Sequence, residues 1–185
     1  MSNWKSIPPC RWLDTEQQII ECVKYISTRP DISFDEESSG LSMSTDYPLT
    51  FSLSDGIERF GAMADVLHHP YMKNYLENAS HLIGSNLPID FHWAENVGIV
   101  IKAAIWNTVT MSWLRDENRE GRHGLKDLAN DFTGIQMRDF KEVFPFQRAT
   151  KTQAADTAKD AILRKISTPE GLEDAKQYAG LDPYA

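Results

Sequence analysis

The chain has 185 residues, a formal net charge of −8 and 41% hydrophobic residues, which predict one globular domain and exclude disorder. Its acid excess lies within the first 100 residues, so binding of nucleic acid through a broad basic surface is not expected. No apolar run approaches about 18 residues and no signal-peptide pattern is present, which predicts a cytoplasmic protein without a membrane partner. Cys10 and Cys22 lack Cys-x-x-Cys spacing, so reduced thiols are expected and a zinc site is not.

The first part of the chain predicts a helix followed by strands. Residues 14–26 carry an apolar stripe at helical spacing, and a short strand is expected at 31–36. Alternating apolar and polar residues predict a second strand at 48–54. The sequence Ser54-Asp55-Gly56 is typical of a turn, so residues 57–62 are expected to return as the second arm of a hairpin.

The remainder of the chain predicts helices that alternate with strands. Strands are expected at 81–84 and 97–104, and helices at 70–78, 88–96, 108–115, 124–132, 141–144, 152–166 and 169–181. Strands that first follow one another and then alternate with helices indicate an α/β fold, in which a mixed sheet is flanked by helices.

The first candidate site is a pair of acids, Asp35 and Glu37, at the end of the strand predicted over 31–36. Side chains two residues apart in a strand point to the same face of the sheet. Two carboxylates on one face repel each other unless a cation lies between them. Oxygen ligands favour a hard divalent ion such as Mg²⁺ or Mn²⁺, so the pair indicates a metal site if further carboxylates lie beside it. Taken alone, the pair is equally consistent with a solvated strand end.

Two later segments carry further acids at helical spacing. Asn86 and Asp90 follow a predicted strand and are expected one helical turn apart, and Tyr178 and Asp182 are expected on one face of the last helix. Taken alone, these residues are better explained by a favourable helix-dipole position for Asp90 and by an ordinary amphipathic face for Tyr178 and Asp182. The four acids, Asp35, Glu37, Asp90 and Asp182, come from three separate segments and would form one site if those segments converge.

Three motifs of the DEDD exonucleases resemble segments of this chain, in the order Asp35-x-Glu37 with Gly40-Leu41, Asn86-x-x-x-Asp90 and Tyr178-x-x-x-Asp182. The tyrosine is typical of the tyrosine-type branch, which includes the 3′–5′ proofreading domains of DNA polymerase I-like enzymes. Residues 123–134 are similar to the phage-type form of that group.

The resemblance implies a ribonuclease H-like fold, with three antiparallel strands followed by parallel strands. It divides the chain into an N-terminal helical lead-in, residues 1–30, and an exonuclease domain, residues 31–185, whose last helix is expected to be shortened.

The resemblance also implies hydrolysis of phosphodiester bonds by two metal ions, Mg²⁺ or Mn²⁺, held by the four acids. Asp35 is expected to bridge both ions. Glu37 and Asp182 are expected to complete the site that activates water, and Asp90 to hold the second ion. Tyr178 is expected to orient the attacking water, because a phenol with a pKa of about 10 is a poor base at neutral pH.

Two residues are expected to bind the substrate: Leu41 would wedge against the terminal base and Asn86 would contact the terminal nucleotide. The expected function is therefore 3′–5′ exonuclease action on single-stranded DNA ends during proofreading, with a DNA polymerase subunit or domain as a partner. Two alternatives remain open. One is a non-catalytic module that binds nucleic acid or a polymerase, and the other is an RNA-trimming exonuclease like ribonuclease D.

Overall fold

The computed structural model describes residues 7–119, 123–147 and 157–184. Its strands are β1 (Arg11–Trp12), β2 (Ser33–Ser38), β3 (Pro48–Ser54), β4 (Arg59–Met63), β5 (His81–Gly84) and β6 (Ala104–Asn107). They form one sheet in the order β1-β4-β3-β2-β5-β6.

The centre of this sheet is antiparallel and its flanks are parallel. β2 pairs with β3, and β3 with β4, in antiparallel register. β5 and β6 continue from β2 in parallel, and the short β1 lies parallel to β4 at the other edge. The turn between β3 and β4 uses Gly56 at φ 79°, a conformation that glycine adopts without steric cost. The predicted hairpin and the predicted mixed sheet are both confirmed.

Helices cover the sheet on both sides. They are α1 (Glu16–Ile26), α2 (Pro70–Asn78), α3 (Pro88–Asn96), α4 (Thr108–Arg115), α5 (Leu125–Thr133), α6 (Phe140–Val143), α7 (Ala158–Ile166) and α8 (Pro169–Ala179). Within the described ranges, none of these helices has the length and apolar character needed to cross a membrane. The helix predicted at 152–166 is found from Ala158 onward, and residues 152–156 lie outside the described residues.

The two faces of the central strands differ in chemistry. One face presents the buried rings of Phe34, Phe51 and Phe60, which belong to the main hydrophobic core together with side chains from α1, α2 and α3. The other face presents small or polar side chains and meets α8. Strand alternation therefore separates a core-forming face from a polar face, and the polar face carries the predicted acids.

One predicted strand, at 97–104, is wrong. Val97 caps the end of α3, and Gly98 turns the chain at φ 82°. Pairing with β5 begins only at Ala104, which lies opposite His81. Several of the residues from 98 to 103 are apolar because they are buried in the core. The hydrophobic pattern therefore indicated burial rather than strand pairing.

Candidate active site

Asp35 and Glu37 lie in β2 on the polar face of the sheet. Their antiparallel partners in β3 are the small residues Ser52 and Thr50, which leave space above the strand. The register of β2 shifts directly after Glu37, where the pairing with β3 becomes irregular. Such irregularities re-aim side chains near the end of a strand, and Glu37 directly precedes this one.

Asp90 reaches the same strand from the first turn of α3. It is buried, and its Oδ1 accepts a hydrogen bond from the backbone N–H of Glu36 at 3.2 Å. Glu36 stands between the two strand acids, so this bond holds α3 against the middle of the acidic segment. The carboxylate is also favoured by its position in the first turn of a helix.

Asp182 does not lie on the helix that carries Tyr178, and the prediction of one shared helix face is wrong. α8 ends at Ala179, Gly180 caps it, and Asp182 belongs to a turn over residues 180–184. Pro183 follows, and the residue before a proline is sterically disfavoured in helical conformation. The turn nevertheless brings Asp182 to the two acids of β2.

Carboxylate oxygens from Asp35, Glu37 and Asp182 all lie within 4.8 Å of one another. Among the described residues, Oδ1 of Asp182 is buried and has no hydrogen-bond partner. Three converging carboxylates with an unpartnered buried oxygen match the donor set that a hard divalent cation requires. The residues therefore fit an Mg²⁺ or Mn²⁺ ion.

Burial raises the pKa values of the four acids, and for Asp35, Glu37 and Asp90 the charges of neighbouring acids add to the effect. Burial raises the pKa of Asp35 well above its usual range, and the charges of Asp182 and Asp90 raise it further. The pKa of Glu37 is raised in the same way. Burial raises the pKa of Asp90 to about 7 and that of Asp182 to about 6. A cation bound among these groups would reverse this effect, because it stabilises the charged carboxylates.

Tyr178 lies in the last turn of α8 and is 5% exposed. Its ring makes edge contacts with Phe140 and Phe144, at centroid distances of 6.3 Å and 5.4 Å. Burial raises the pKa of its hydroxyl well above its ordinary value, and the charge of Glu37 adds to the effect. The hydroxyl therefore stays protonated at neutral pH.

The two predicted substrate-binding residues lie at the surface near the ends of the strands. Leu41 follows β2 in the loop before β3 and is 89% exposed. Asn86 is exposed between β5 and α3 and adopts a left-handed conformation at φ 65°. It precedes α3, which begins at Pro88, so the expectation of one helical turn between Asn86 and Asp90 is wrong.

Two charged residues at the site were absent from the predicted set. Lys126 in α5 lowers the pKa of both Glu37 and Asp182 through its positive charge, and it donates a hydrogen bond to Asp139. Glu36 is 5% exposed, and neither of its carboxylate oxygens has a partner among the described residues.

The sequence contained a signal for Glu36. It shares the strand parity of the buried Phe34, so alternation alone places its side chain on the core-forming face. Burial, with the charge of Asp90, raises the pKa of Glu36 well above its usual range. No comparable pattern identifies Lys126, because its helix reaches the acids through tertiary packing.

Comparison with known proteins agrees with this geometry. The family model of the 3′–5′ exonuclease domain of DNA polymerase A type matches residues 10–185. No curated protein matches the chain by sequence.

Solved structures share the fold at low sequence identity. Escherichia coli RNase D superposes with a TM-score of 0.67 and 13% identity, over 96% of this chain and 42% of that protein. Brucella melitensis NrnC superposes with a TM-score of 0.63 and 16% identity, over 95% of this chain and 75% of that protein. The exonuclease domain of Aedes aegypti Nibbler gives a TM-score of 0.63 and 12% identity, over 95% and 82%.

These structures are exonucleases of ribonuclease H-like fold, and the family match covers nearly the whole chain. The acids that converge on the polar face of the sheet lie within the matched range. The chain therefore belongs to the DEDD family of 3′–5′ exonucleases, which are metal-dependent hydrolases.

Proposed function

We propose that the protein removes nucleotides from the 3′ ends of single-stranded DNA and proofreads in the cytoplasm beside a DNA polymerase subunit or domain. The observation that carries this proposal is the convergence of Asp35, Glu37 and Asp182 on one face of the sheet, with Asp90 held against the same strand. The family match to the exonuclease domain of DNA polymerase A type supports DNA as the substrate.

Two divalent ions, Mg²⁺ or Mn²⁺, would be held by these acids. Asp35, Glu37 and Asp182 would hold one ion, and Asp35 with Asp90 would hold the other. When bound, such ions supply a nucleophilic water at neutral pH and neutralise the charge of the phosphate. The structure of Brucella melitensis NrnC with bound Mg²⁺ is a neighbour of this fold, which supports magnesium as one choice.

Tyr178 orients the attacking water in this proposal. Its buried hydroxyl remains protonated, because burial raises its pKa, so it acts through hydrogen bonding rather than as a general base. The two phenylalanine rings that contact Tyr178 restrict the ring to one orientation. Correct placement of a reacting group by a rigid neighbour is worth up to about 10²-fold in rate.

The terminal nucleotide would be held by side chains at the surface beside the acids. Leu41 would pack against the terminal base, since its exposed side chain is available to a ligand. Asn86 would contact the same nucleotide from the loop before α3. A pocket that binds one strand end needs few phosphate contacts, which is compatible with a net charge of −8.

RNA is the second candidate substrate. Escherichia coli RNase D is described as an exoribonuclease involved in structured RNA processing, and a structure of Brucella melitensis NrnC is described as bound to pGG. Both proteins share the fold of this chain, so the structural neighbours support RNA 3′ ends as the substrate. The family match supports DNA.

One experiment separates these substrates. Matched single-stranded DNA and RNA oligonucleotides of one sequence, labelled at the 5′ end, would be incubated with the protein in Mg²⁺, in Mn²⁺ and in EDTA. The proposal predicts stepwise shortening from the 3′ end, faster for DNA, with nucleoside 5′-monophosphates released and no reaction in EDTA. Faster shortening of RNA would favour the second candidate, and equal activity in EDTA would contradict both.

A further inference from the structure

The polar face of the sheet binds the C-terminal end of α8 through side-chain donors. The last carbonyls of a helix have no partners within the helix and must find them elsewhere. Three of the carbonyls from Ala179 onward accept such bonds from β2, β3 and β4. The bonds run from Ser52 Oγ to the Ala179 oxygen at 2.6 Å, from Arg59 Nη1 to the Gly180 oxygen at 3.4 Å, and from Ser33 Oγ to the Pro183 oxygen. The Ser33 hydroxyl also lies 2.9 Å from the Ser54 oxygen, so its single proton is shared between two carbonyls.

The side chain of Arg59 is hydrogen-bonded to this end of the helix. It is 2% exposed, and both of its hydrogen bonds go to the C-terminal segment, the second from Nη2 to Gln177 Oε1 at 2.7 Å. Its guanidinium also lies 5.6 Å from the centroid of the Tyr184 ring. Burial of a charge is costly unless it is bonded, and these contacts offset part of that cost, although Nε of Arg59 is buried without a partner among the described residues.

The three bonded carbonyls surround Asp182 in the sequence. Two of them precede it and the third, that of Pro183, follows it directly. The charges of Asp35 and Asp182 repel each other, and Asp182 lies in a turn beyond the last residue of α8. A turn in this position would move away from the strand unless its backbone were held.

We propose that Ser33, Ser52 and Arg59 form a carbonyl anchor that positions Asp182 against Asp35 and Glu37. The three anchor residues touch backbone oxygens and not the metal or the substrate, so they are positioning residues. The catalytic consequence rests on the proposed metal-dependent function, whereas the structural part of the proposal stands on the hydrogen bonds alone.

The matched pair for testing the anchor is Ser52 and Ser54. Both serines lie in β3 on the polar face, both are 1% exposed, and both donate through Oγ to a carbonyl. Ser52 donates to the end of α8, but Ser54 donates to Glu58 in the turn between β3 and β4. Ser52→Ala and Ser54→Ala therefore each remove one buried serine hydroxyl, but only Ser52→Ala removes a hydrogen bond to the end of α8.

Hydrogen–deuterium exchange of the metal-free full chain tests the structural part. The amides of Gly180 and Leu181 donate to the carbonyls of Lys176 and Tyr178 at the end of α8, and the amide of Tyr184 donates to the carbonyl of Leu181 within the turn, so a peptide over 179–184 reports whether this segment is closed. The anchor predicts at least about tenfold faster exchange of this peptide in Ser52→Ala and in Arg59→Met, with Ser54→Ala unchanged. Unchanged exchange in Ser52→Ala, or an equal increase in Ser54→Ala, would overturn the proposal.

Mn²⁺ titration by calorimetry tests the consequence for the site. Ser52→Ala and Arg59→Met are expected to raise the Kd for Mn²⁺ at least about fivefold, with Ser54→Ala within about twofold of the wild type. Arg59→Lys keeps one donor and is expected to fall between the wild type and Arg59→Met. If Arg59→Met does not fold, Ser52→Ala and Arg59→Lys decide the result.

The two readouts separate failure of the anchor from failure of the proposed function. A wild-type chain that binds no Mn²⁺ would contradict the proposed function, and the exchange data would still decide whether the anchor exists. Mn²⁺ affinity that is unchanged in both Ser52→Ala and Arg59→Lys, in a wild type that binds Mn²⁺, would overturn the positioning role.

Discussion

The two sides of the acidic site are held by different kinds of structure. Asp35 and Glu37 belong to a strand that is paired on one side with β3 over its whole length and joined on the other to β5. Asp182 belongs to a turn after a helix, and side chains from three strands hold the backbone around it. A strand fixes its residues through regular backbone pairing, but a turn depends on a few individual bonds.

This difference explains which substitutions should act locally. When one hydrogen bond of a strand ladder is lost, the neighbouring bonds still hold the strand in place. When one anchor bond is lost, a carbonyl close to Asp182 in the sequence is left unpaired. We therefore expect substitutions on the strand side of the site to reduce metal binding and activity only when they remove an acid itself. On the turn side, substitution of a distant supporting residue should also reduce them.

The largest effect is expected from the acids themselves. Asp35→Asn should reduce exonuclease kcat at least about 10³-fold, because charge stabilisation by bound metal is worth several kcal/mol and each 1.36 kcal/mol is tenfold. Asp182→Asn should cost less, about 10²-fold, because it serves one ion only in the proposal. Steady-state kinetics on a labelled oligonucleotide measures both.

Asp31→Asn is the control for this pair, since Asp31 precedes the same strand at its other end and its side chain is 58% exposed. It should retain wild-type activity. A larger loss in Asp182→Asn than in Asp35→Asn would contradict the assignment of Asp35 as the bridging acid.

Tyr178→Phe should give the next largest effect. The substitution keeps the ring contacts with Phe140 and Phe144 and removes only the hydroxyl. We expect kcat to fall about 10- to 100-fold with KM unchanged, because the hydroxyl positions water and does not bind the nucleotide. Steady-state kinetics over a range of substrate concentrations measures both constants.

Tyr25→Phe is the matched control, because it removes a hydroxyl that donates to Asp55, away from the acids. It should leave kcat unchanged. A Tyr178→Phe variant with a raised KM and normal kcat would place Tyr178 in nucleotide binding instead.

The smallest effect is expected in the pH dependence of stability. Burial raises the pKa of Asp90 from 3.8 to about 7 and that of Asp182 from 3.8 to about 6, so between these values the folded chain binds more protons than the unfolded chain. Where the folded chain binds more protons, the free energy of unfolding falls as pH rises. Metal-free protein should therefore lose stability between about pH 4 and pH 7 on account of these acids.

Thermal denaturation in EDTA across this pH range measures the effect. Asp182→Asn should raise Tm by a few degrees at pH 8 and by less at pH 5, because the charged acid is removed only where it would be ionised. Added Mn²⁺ should stabilise the wild type more at pH 8 than at pH 5. A Tm of Asp182→Asn below that of the wild type at pH 8 would contradict this account of the acids.

The sequence predicted the strand side of the site better than the turn side. Alternation in a strand has a fixed period, so Asp35 and Glu37 were correctly placed on one face from their spacing alone. The match to the order of the DEDD motifs predicted that Asp90 and Asp182, from distant segments, join the same site. Their roles as metal ligands stay predictions.

The turn side could not be derived because it depends on tertiary bonds. A spacing of four residues predicted Tyr178 and Asp182 on one helix face. The helix ends at Ala179 with Gly180 as its cap, and Pro183 follows Asp182, so Asp182 lies outside the helix. The donors that hold this turn lie more than 100 residues earlier in the sequence. No local pattern in Ser33, Ser52 or Arg59 indicates which carbonyl each will reach.

Anomalous diffraction from crystals grown with Mn²⁺ and a nucleoside 5′-monophosphate tests the central claim most directly. The account predicts two anomalous peaks about 4 Å apart between the four acids, with Asp35 bound to both and Asp182 bound to one. In Arg59→Met, the peak at Asp182 should weaken while the other stays. Peaks that do not involve Asp35, or no peak among these carboxylates in crystals of active protein, would contradict the account.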